Sequence, residues 1–370
     1  MPKAQETILE IDLKALKYNF EYLKSKLKSG TKFLAVVKAF AYGNDADEIA
    51  KYLQDLNIDY FAVAYANEGE ALRKAGVTKP ILVLHTLATN FDVVLENCLE
   101  PNLYNAKILN EFIGFAEAEH QKNYPVHIKF NTGLNRLGFW ENDVDGIVEK
   151  LKATDSIKAK SLFSHLAASE DLTEKAFTEN QINSFKAIAH NFSKAIGYTP
   201  ILHTTNTSGV LNYPEAHLDM VRCGIGLYGF GNSKKESANL KPIARLKTII
   251  SQIHHIEKGE SVGYNRAFKN ENTVTKTATL PLGHADGISR IYGNGKGFVT
   301  INGKKAPIIG NVCMDMIMVN ITDIDCKEGD EVIVFDGITT SAETLAEAAG
   351  TISYELITSI SQRVKRVVLK

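Results

Sequence analysis

The chain has no apolar run near the ~20 residues that would cross a bilayer, so a membrane partner is not expected. It has no charge excess either. Its 42 basic residues face 43 acidic ones, and a net charge of -1 offers nothing to nucleic acid or an anionic lipid surface. Cysteine is scarce: Cys98, Cys223, Cys313 and Cys326 are scattered with no close pair. That excludes a disulfide framework and a thiolate zinc site, and it fits a reducing cytosol. Met1–Leu13 lacks the charged head, apolar middle and small-residue cleavage site of a secretory signal, so a cytoplasmic location is expected. Internal repeats and low-complexity runs are missing too. What remains is 370 residues of ordinary globular composition, enough for two or three domains at ~150 residues each. A small-molecule enzyme is the default for such a chain.

Apolar runs and helical patterns alternate up to about residue 235. Eight runs read as buried strands: Lys32–Lys38, Tyr60–Tyr65, Pro80–His85, Leu99–Asn105, Val126–Asn131, Lys160–His165, Ile201–Asn206 and Met220–Gly226. A helical pattern follows each except the last. Ala46–Leu56, for one, carries Ile49, Leu53 and Leu56 at helical spacing. Near-continuous apolar strands between helices imply a parallel sheet covered on both faces. Eight such units predict an α/β fold, a (β/α)8 barrel of the TIM type. An open doubly wound sheet would want a glycine-rich turn after the first strand, and Lys38-Ala39-Phe40-Ala41-Tyr42-Gly43 is not one.

Past residue 240 the pattern turns mostly β. Strands are predicted at Leu246–Ile256, Val274–Leu282, Gly297–Ile301, Lys305–Ile309, Met314–Ile321 and Glu331–Asp336. Asn302-Gly303 reads as a hairpin turn, and one helix is predicted at Ala342–Ala349. The leading strand Ile8–Leu13 belongs to none of the eight units. The expected division is a barrel over residues 10–235 and a β-rich domain made of residues 1–9 and 236–370.

In such a barrel the C-terminal ends of the strands carry the chemistry. They offer Lys38, Tyr65, His85, Asn105, Asn131, His165, Asn206 with Thr207, and Arg222 through Ile225. A lysine that ends an apolar strand is desolvated, which makes its amine nucleophilic and suited to a Schiff base with a carbonyl group such as that of pyridoxal 5'-phosphate (PLP). The alternative is a lysine snorkelling from the rim to water. Gly224-Ile225-Gly226 suits a phosphate, since glycines let backbone N–H groups approach an anion, and it equally suits a tight turn. Thr207 and Ser208 could add hydroxyl donors. Arg136, alone among apolar neighbours after the fifth strand, reads as an anion or carboxylate ligand or as a salt-bridge or capping residue. His165 alone reads more readily as a satisfied barrel-end histidine than as a catalyst.

Together these segments resemble the bacterial alanine racemases. AVVKAFAYG at 35–43 is similar to the PLP-lysine segment of that family, and the likeness continues in order through NTGLNRLGF (131–139), SHLA (164–167), VRCGIGLYG (221–229), VGYNRAF (262–268), LPLGHADGISR (280–290), GNVCMDMIMV (310–319) and ISYELITSISQRVKR (352–366). The resemblance implies a PLP-dependent homodimer with shared active sites that interconverts L- and D-alanine, supplying D-alanine for peptidoglycan. It implies that Lys38 is the Schiff-base lysine and one base, and that Tyr264 is the other, contributed by the partner subunit. It places Tyr42, Thr207, Gly224, Ile225 and Tyr354 at the phosphate, with Asn206 beside them, and Arg222 at the pyridine nitrogen. His165 is implied to stack on the ring or orient its neighbours. Arg136, Met314 and Asp315 are implied at the substrate carboxylate, and Lys129 matches a lysine that is often carbamylated. No metal is implied.

Racemisation takes the Cα proton from one face and returns one to the other, so two bases on opposite faces suffice. A tyrosine base needs cations nearby, and His165 and Arg222 are the candidates. Arginine has donors only and keeps its proton, so a ring nitrogen facing Arg222 should stay unprotonated and the electron sink weakened. The chain departs from the family at Phe40, Asn44-Asp45, Cys223 and His284. These bear on the entrance and so on preference for alanine over another small amino acid such as serine. A non-catalytic PLP-binding barrel is a further alternative, but it would lack the second domain.

Overall fold

The computed structural model describes residues 4–370, so residues 1–3 of the expected β-rich domain lie outside the described residues. The eight expected barrel strands are all present: Lys32–Val36, Tyr60–Val63, Ile81–Val83, Glu100–Leu103, Tyr124–Lys129, Ile157–Phe163, Ile201–His203 and Met220–Cys223. They lie side by side in chain order, paired parallel to one another, and the eighth returns beside the first. Between the seventh and eighth strands the ladder gives way to two backbone bonds. Asp219 N–H donates to the Leu202 carbonyl at 3.1 Å and Arg222 N–H to the Thr205 carbonyl at 3.1 Å. The barrel is therefore nearly closed.

The strands are apolar because both faces are covered. All four residues of Tyr60–Val63 are buried, and so are Phe33, Leu34, Ile81 and Leu82. Each such side chain contributes ~1.5–3 kcal/mol by leaving water. Helices between strands start at polar caps. Asp45 accepts from Glu48 N–H at 3.0 Å, Asn105 from Ile108 N–H at 2.9 Å, and Asn206 from Gly209 N–H at 2.8 Å.

One local conformation has no signal in the sequence. Lys38 is followed by a left-handed turn, with φ of 52°, 55°, 53° and 56° at Ala39, Phe40, Ala41 and Tyr42. None of the four is glycine, so each costs ~1–2 kcal/mol. Tertiary bonds offset this. Glu68 accepts from Ala39 N–H at 2.6 Å, and Asn44 Nδ2 donates to the Ala41 carbonyl at 2.7 Å. From the far end of the chain, Arg366 Nη2 donates to the Gly43 carbonyl at 2.8 Å and Nε to that of Asn44 at 3.2 Å. A Cβ at Gly43 would sit 1.9 Å from the Ile357 carbonyl oxygen. The β-rich part of the chain thus clamps the turn that carries Lys38 and Tyr42.

That part is built on a nine-stranded sheet, with a separate two-stranded pair, Ser261–Val262 and Phe268–Lys269. In spatial order the sheet runs Gln252–Glu257, Val274–Leu280, Ile317–Asn320, Lys304–Ile309, Phe298–Ile301, Glu331–Phe335, Ala244–Ile249, Ile8–Asp12 and Lys365–Leu369. The leading strand pairs antiparallel with Ala244–Ile249 and parallel with Lys365–Leu369, so the expected boundary after residue 9 falls inside it. The predicted strand Leu246–Ile256 is in fact two. The chain leaves Glu331–Phe335 at Ile250 and joins Val274–Leu280 from Ser251 onward. The predicted strand Met314–Ile321 shortens to Ile317–Asn320, because Cys313 and Met314 give their carbonyls to the His284 and Ala285 amides instead. A second helix, Ser353–Ser359, was not expected; it packs against the left-handed turn.

Candidate active site

A cavity of about 530 Å³ opens at the C-terminal ends of the barrel strands. Of the strand-end candidates, Lys38, Tyr65, His85, His165, Asn206, Thr207, Arg222, Gly224 and Ile225 line it. Asn105 and Asn131 do not. Asn105 caps a helix, and Asn131 accepts from Gly133 N–H at 3.2 Å and Asn135 N–H at 2.9 Å, which shapes the loop carrying Arg136. That loop is pinned at its base, where Phe139 N–H donates to the Lys129 carbonyl and Asn131 N–H to that of Phe139, both at 2.8 Å. Arg136 lines the cavity, and its charge acts on Lys38 and Lys129.

The electrostatics are one-sided. Lys38, Lys129, Arg136 and Arg222 all line the cavity and no carboxylate does. Burial and then the Arg136 charge hold the Lys38 amine below the ordinary lysine range, and Glu68 pulls weakly the other way. Burial, followed by Arg136, Arg222 and Lys38, brings Lys129 down to about 8. Such a pocket lacks an anion, and a dianionic phosphate or a carboxylate would supply it.

Arg222 Nη1 donates to His203 Nδ1 at 2.7 Å, and Nη2 reaches the Ser164 carbonyl at 2.7 Å and His165 Nδ1 at 3.1 Å. The guanidinium also lies over the Phe163 ring, 5.3 Å from its centroid. His165 is held well below the ordinary imidazole range, by burial first and then by Arg222, Arg136, Lys129 and Lys38. It is therefore a neutral acceptor for Arg222. This corrects the expectation that it could serve as a cation beside a tyrosine base; of the two candidates only Arg222 carries a charge to offer.

The phosphate candidates converge on one wall. The Tyr42 ring stacks on Tyr228 at 4.6 Å and lies 6.0 Å from that of Tyr354. Burial pushes both the Tyr42 and Tyr354 phenols up, so both remain O–H donors. A Cβ at Gly224 would sit 2.3 Å from the Tyr42 hydroxyl, and one at Gly226 would sit 2.5 Å from Thr207 Cγ2. Only glycine lets these hydroxyls and the turn beginning at Ile225 gather in one cradle.

The sequence reading missed two contributors. Asn232 lines the cavity and accepts from the Tyr354 hydroxyl at 2.9 Å; nothing local marks it. Glu68 bonds the amides of Ala39, Ala64 and Tyr65, and its place as third residue of the helix Ala66–Lys74 is the spacing of a capping carboxylate.

Tyr264, Met314 and Asp315 are not brought to this cavity within the subunit. Tyr264 begins a short turn of the β-rich part and is 73% exposed, and Met314 is 59% exposed. Arg363 ties Asp315, at 2.6 Å, to Asp286, at 2.7 Å. Phe40 and His284 do not line the cavity either.

Comparison with known proteins covers the same two regions. A family model described as the alanine racemase N-terminal domain matches residues 11–231, and one described as the alanine racemase C-terminal domain matches residues 243–368. The chain is 37% identical over 367 residues to an alanine racemase of Halothermothrix orenii, covering 97% of this chain and 96% of that one. Its fold is similar to a solved alanine racemase of Clostridium difficile, with a TM-score of 0.92, 34% identity and coverage of 100% of this chain and 97% of the other. It is also similar to an alanine racemase of Bartonella henselae solved with covalently bound pyridoxal phosphate, with a TM-score of 0.89, 28% identity and coverage of 99% and 100%.

Proposed function

The chain belongs to the alanine racemase family, and from that premise we infer how its own residues divide the interconversion of L- and D-alanine. The enzyme is an isomerase that uses pyridoxal 5'-phosphate. The cavity fits that cofactor: its lining holds a lysine amine to attach it, two arginines and no carboxylate, and the wall at Gly224, beside the Tyr42 hydroxyl, leaves no room for a side chain. When bound, the cofactor supplies the electron-withdrawing ring that loosens the alanine Cα proton.

Lys38 holds the cofactor through its amine and moves the Cα proton on one face, for which a lysine kept low by burial is suited. The partner subunit's Tyr264 serves the opposite face. Tyr42 and Thr207 give hydroxyl donors to the phosphate, joined by Tyr354 once its hydroxyl turns from Asn232, with Gly224 and Ile225 giving backbone N–H groups and Asn206 setting the turn. Arg222 would meet the ring nitrogen with N–H groups left over from its bonds to His203, Ser164, His165 and Thr204, and His165, neutral, orients it. Arg136 meets the substrate carboxylate together with the partner subunit's Met314 and the partner subunit's Asp315. The barrel, with Tyr354 of the β-rich part, thus forms the cofactor half of the site, and the β-rich part also completes the site of a second subunit in a homodimer.

Lys129, held near about 8 and surrounded by cations, suits carbamylation. Its neutral amine adds to carbon dioxide, the N–C bond forms, the proton leaves to solvent, and Arg136 and Arg222 stabilise the anion. A carbamate resonance from isotope-labelled bicarbonate, lost in Lys129→Met, checks this. The four free cysteines are consistent with a cytoplasmic enzyme, and its D-alanine is read as a peptidoglycan precursor.

One observation carries this reading: the cation-lined cavity at Lys38 without any carboxylate. Chiral chromatography of purified protein given L-alanine or L-serine tests it. Conversion of alanine to an equal mixture of enantiomers is expected, and no conversion of alanine would contradict it.

A further inference from the structure

Beneath the cavity the barrel interior holds polar groups that the reaction does not use. Glu100, His127, Ser161 and His203 come from the fourth, fifth, sixth and seventh barrel strands, and Arg222 from the eighth. All five are buried. His127 and Ser161 are paired across neighbouring strands, and each link of the chain is a hydrogen bond. Arg222 Nη1 meets His203 Nδ1 at 2.7 Å, and His203 Nε2 meets Ser161 Oγ at 2.9 Å. Ser161 Oγ meets His127 Nδ1 at 2.5 Å, and His127 Nε2 meets Glu100 Oε2 at 2.6 Å. Aromatic rings hold both imidazoles in place. Phe163 stacks on His203 at 4.8 Å, and Tyr60 stands edge-on to His127 at 6.2 Å.

The proton positions follow from the two ends. Arginine only donates, so His203 Nδ1 must accept and its proton must sit on Nε2. Ser161 then accepts from His203 and donates onward to His127 Nδ1. His127 in turn carries its proton on Nε2 and donates to the Glu100 carboxylate. With both imidazoles neutral and Glu100 taken as a carboxylate, this is the one arrangement in which each link has one donor and one acceptor. His203, lowered well below the ordinary imidazole range by burial and then by Arg222, is neutral as the arrangement requires.

The physical need is plain. Arg222 is a buried cation whose hydrogen-bond acceptors are neutral: two histidine nitrogens and the carbonyls of Ser164 and Thr204. A buried charge without an opposite charge is costly. Bonds that all point one way polarise one another in a low-dielectric interior. We propose that Glu100 is a positioning residue for Arg222, a remote counter-ion that acts through His127, Ser161 and His203 to fix the guanidinium at the cavity floor. The inference rests on the reading that Arg222 faces the cofactor nitrogen.

The test has a structural and a kinetic arm. In protein labelled with isotopic histidine, with and without cofactor, His127 and His203 should both be protonated on Nε2 and bare on Nδ1. Single substitutions among the ten histidines assign the signals. Glu100→Gln keeps the shape and removes the charge. It should shift the His203 Nε2 proton resonance and lower kcat for alanine about tenfold, which is ~1.4 kcal/mol, with KM within about twofold. In a Ser161→Ala background, where the relay is cut, Glu100→Gln should have no further effect on either. A His203 ring protonated on Nδ1 overturns the relay, and so does a Glu100→Gln effect of equal size in both backgrounds or an unchanged kcat. If Glu100→Gln fails to fold, the wild-type tautomers and the Ser161→Ala shift of His127 still decide. Wild-type protein that does not racemise alanine would refute the proposed function while leaving the tautomer result to judge the relay.

Discussion

Lys38 and Tyr264 stand on surfaces of opposite kind. Lys38 lies two residues past the end of a buried strand, faces three other cations, and has an amine tuned by burial. Tyr264 begins a short turn of the β-rich part, is 73% exposed, and touches nothing of the cavity in its own subunit. On the proposed roles, one half of the chemistry is finished by the fold of a single chain and the other half is displayed outward for a second subunit. Burial that tunes a base and exposure that offers one would then be two solutions to the same task, and they respond differently to perturbation.

The largest effect should come from the finished half. If Lys38 is both the cofactor's attachment point and a base, as proposed, Lys38→Ala removes both, and racemase activity should fall by at least about 10³-fold. The borohydride-reducible link between protein and cofactor should vanish with it. A variant that keeps that link would mean another lysine is the anchor.

Arg222→Lys keeps the charge but loses the fork that binds His203, His165 and two carbonyls. Activity should drop about 10²-fold by the scale of losing charge-assisted bonds (~1.5–3 kcal/mol), and the midpoint of thermal unfolding should fall. Wild-type rates would show that position, rather than the fork, is enough.

A smaller change should follow from breaking the bond between the two regions. Arg366→Met removes the donors to Gly43 and Asn44 and frees the left-handed turn. We expect a loss of ~1–3 kcal/mol in stability and a parallel loss of cofactor affinity, read by equilibrium dialysis. If affinity holds while stability falls, the turn does not need its clamp to present Lys38 and Tyr42.

The smallest effect concerns Lys129. Its amine is held down to about 8 when folded, whereas an unfolded lysine titrates near ~10.4. Between those values the unfolded chain binds the extra proton, so this group's contribution to stability rises with pH across that window, and its penalty is full below it. In buffer freed of carbon dioxide, wild type should gain stability relative to Lys129→Met as pH climbs from about 8 to about 10. Melting curves that stay parallel would contradict the depressed value.

Much of the barrel half was legible in the sequence, because apolar strands between helices leave a repeating pattern and strand ends then nominate Lys38, His165, Thr207 and Arg222. What could not be read there depends on long-range partners. The left-handed turn has no glycine before Gly43, and bonds from Glu68 and Arg366 hold it. Asn232 is held at the cavity partly by distant partners, Ser208 and, across 122 residues of chain, Tyr354. The buried run from Glu100 to Arg222 is invisible in one dimension, since its members lie on five different strands. In the β-rich half the pattern over Leu246–Ile256 looked continuous although the chain changes partner strands at Ile250, and the resemblance to a family, not local pattern, singled out Tyr264.

The contrast between an enclosed base and a displayed one is tested most directly by mixing two inactive proteins. A Lys38→Ala subunit still displays Tyr264, and a Tyr264→Ala subunit still encloses Lys38. If each site takes one base from each subunit, random exchange makes half the dimers mixed, and each mixed dimer regains one complete site, so activity should return to about a quarter of wild type. If native mass spectrometry shows the subunits exchanging and no activity returns, Lys38 and Tyr264 work within one chain and the shared site is wrong.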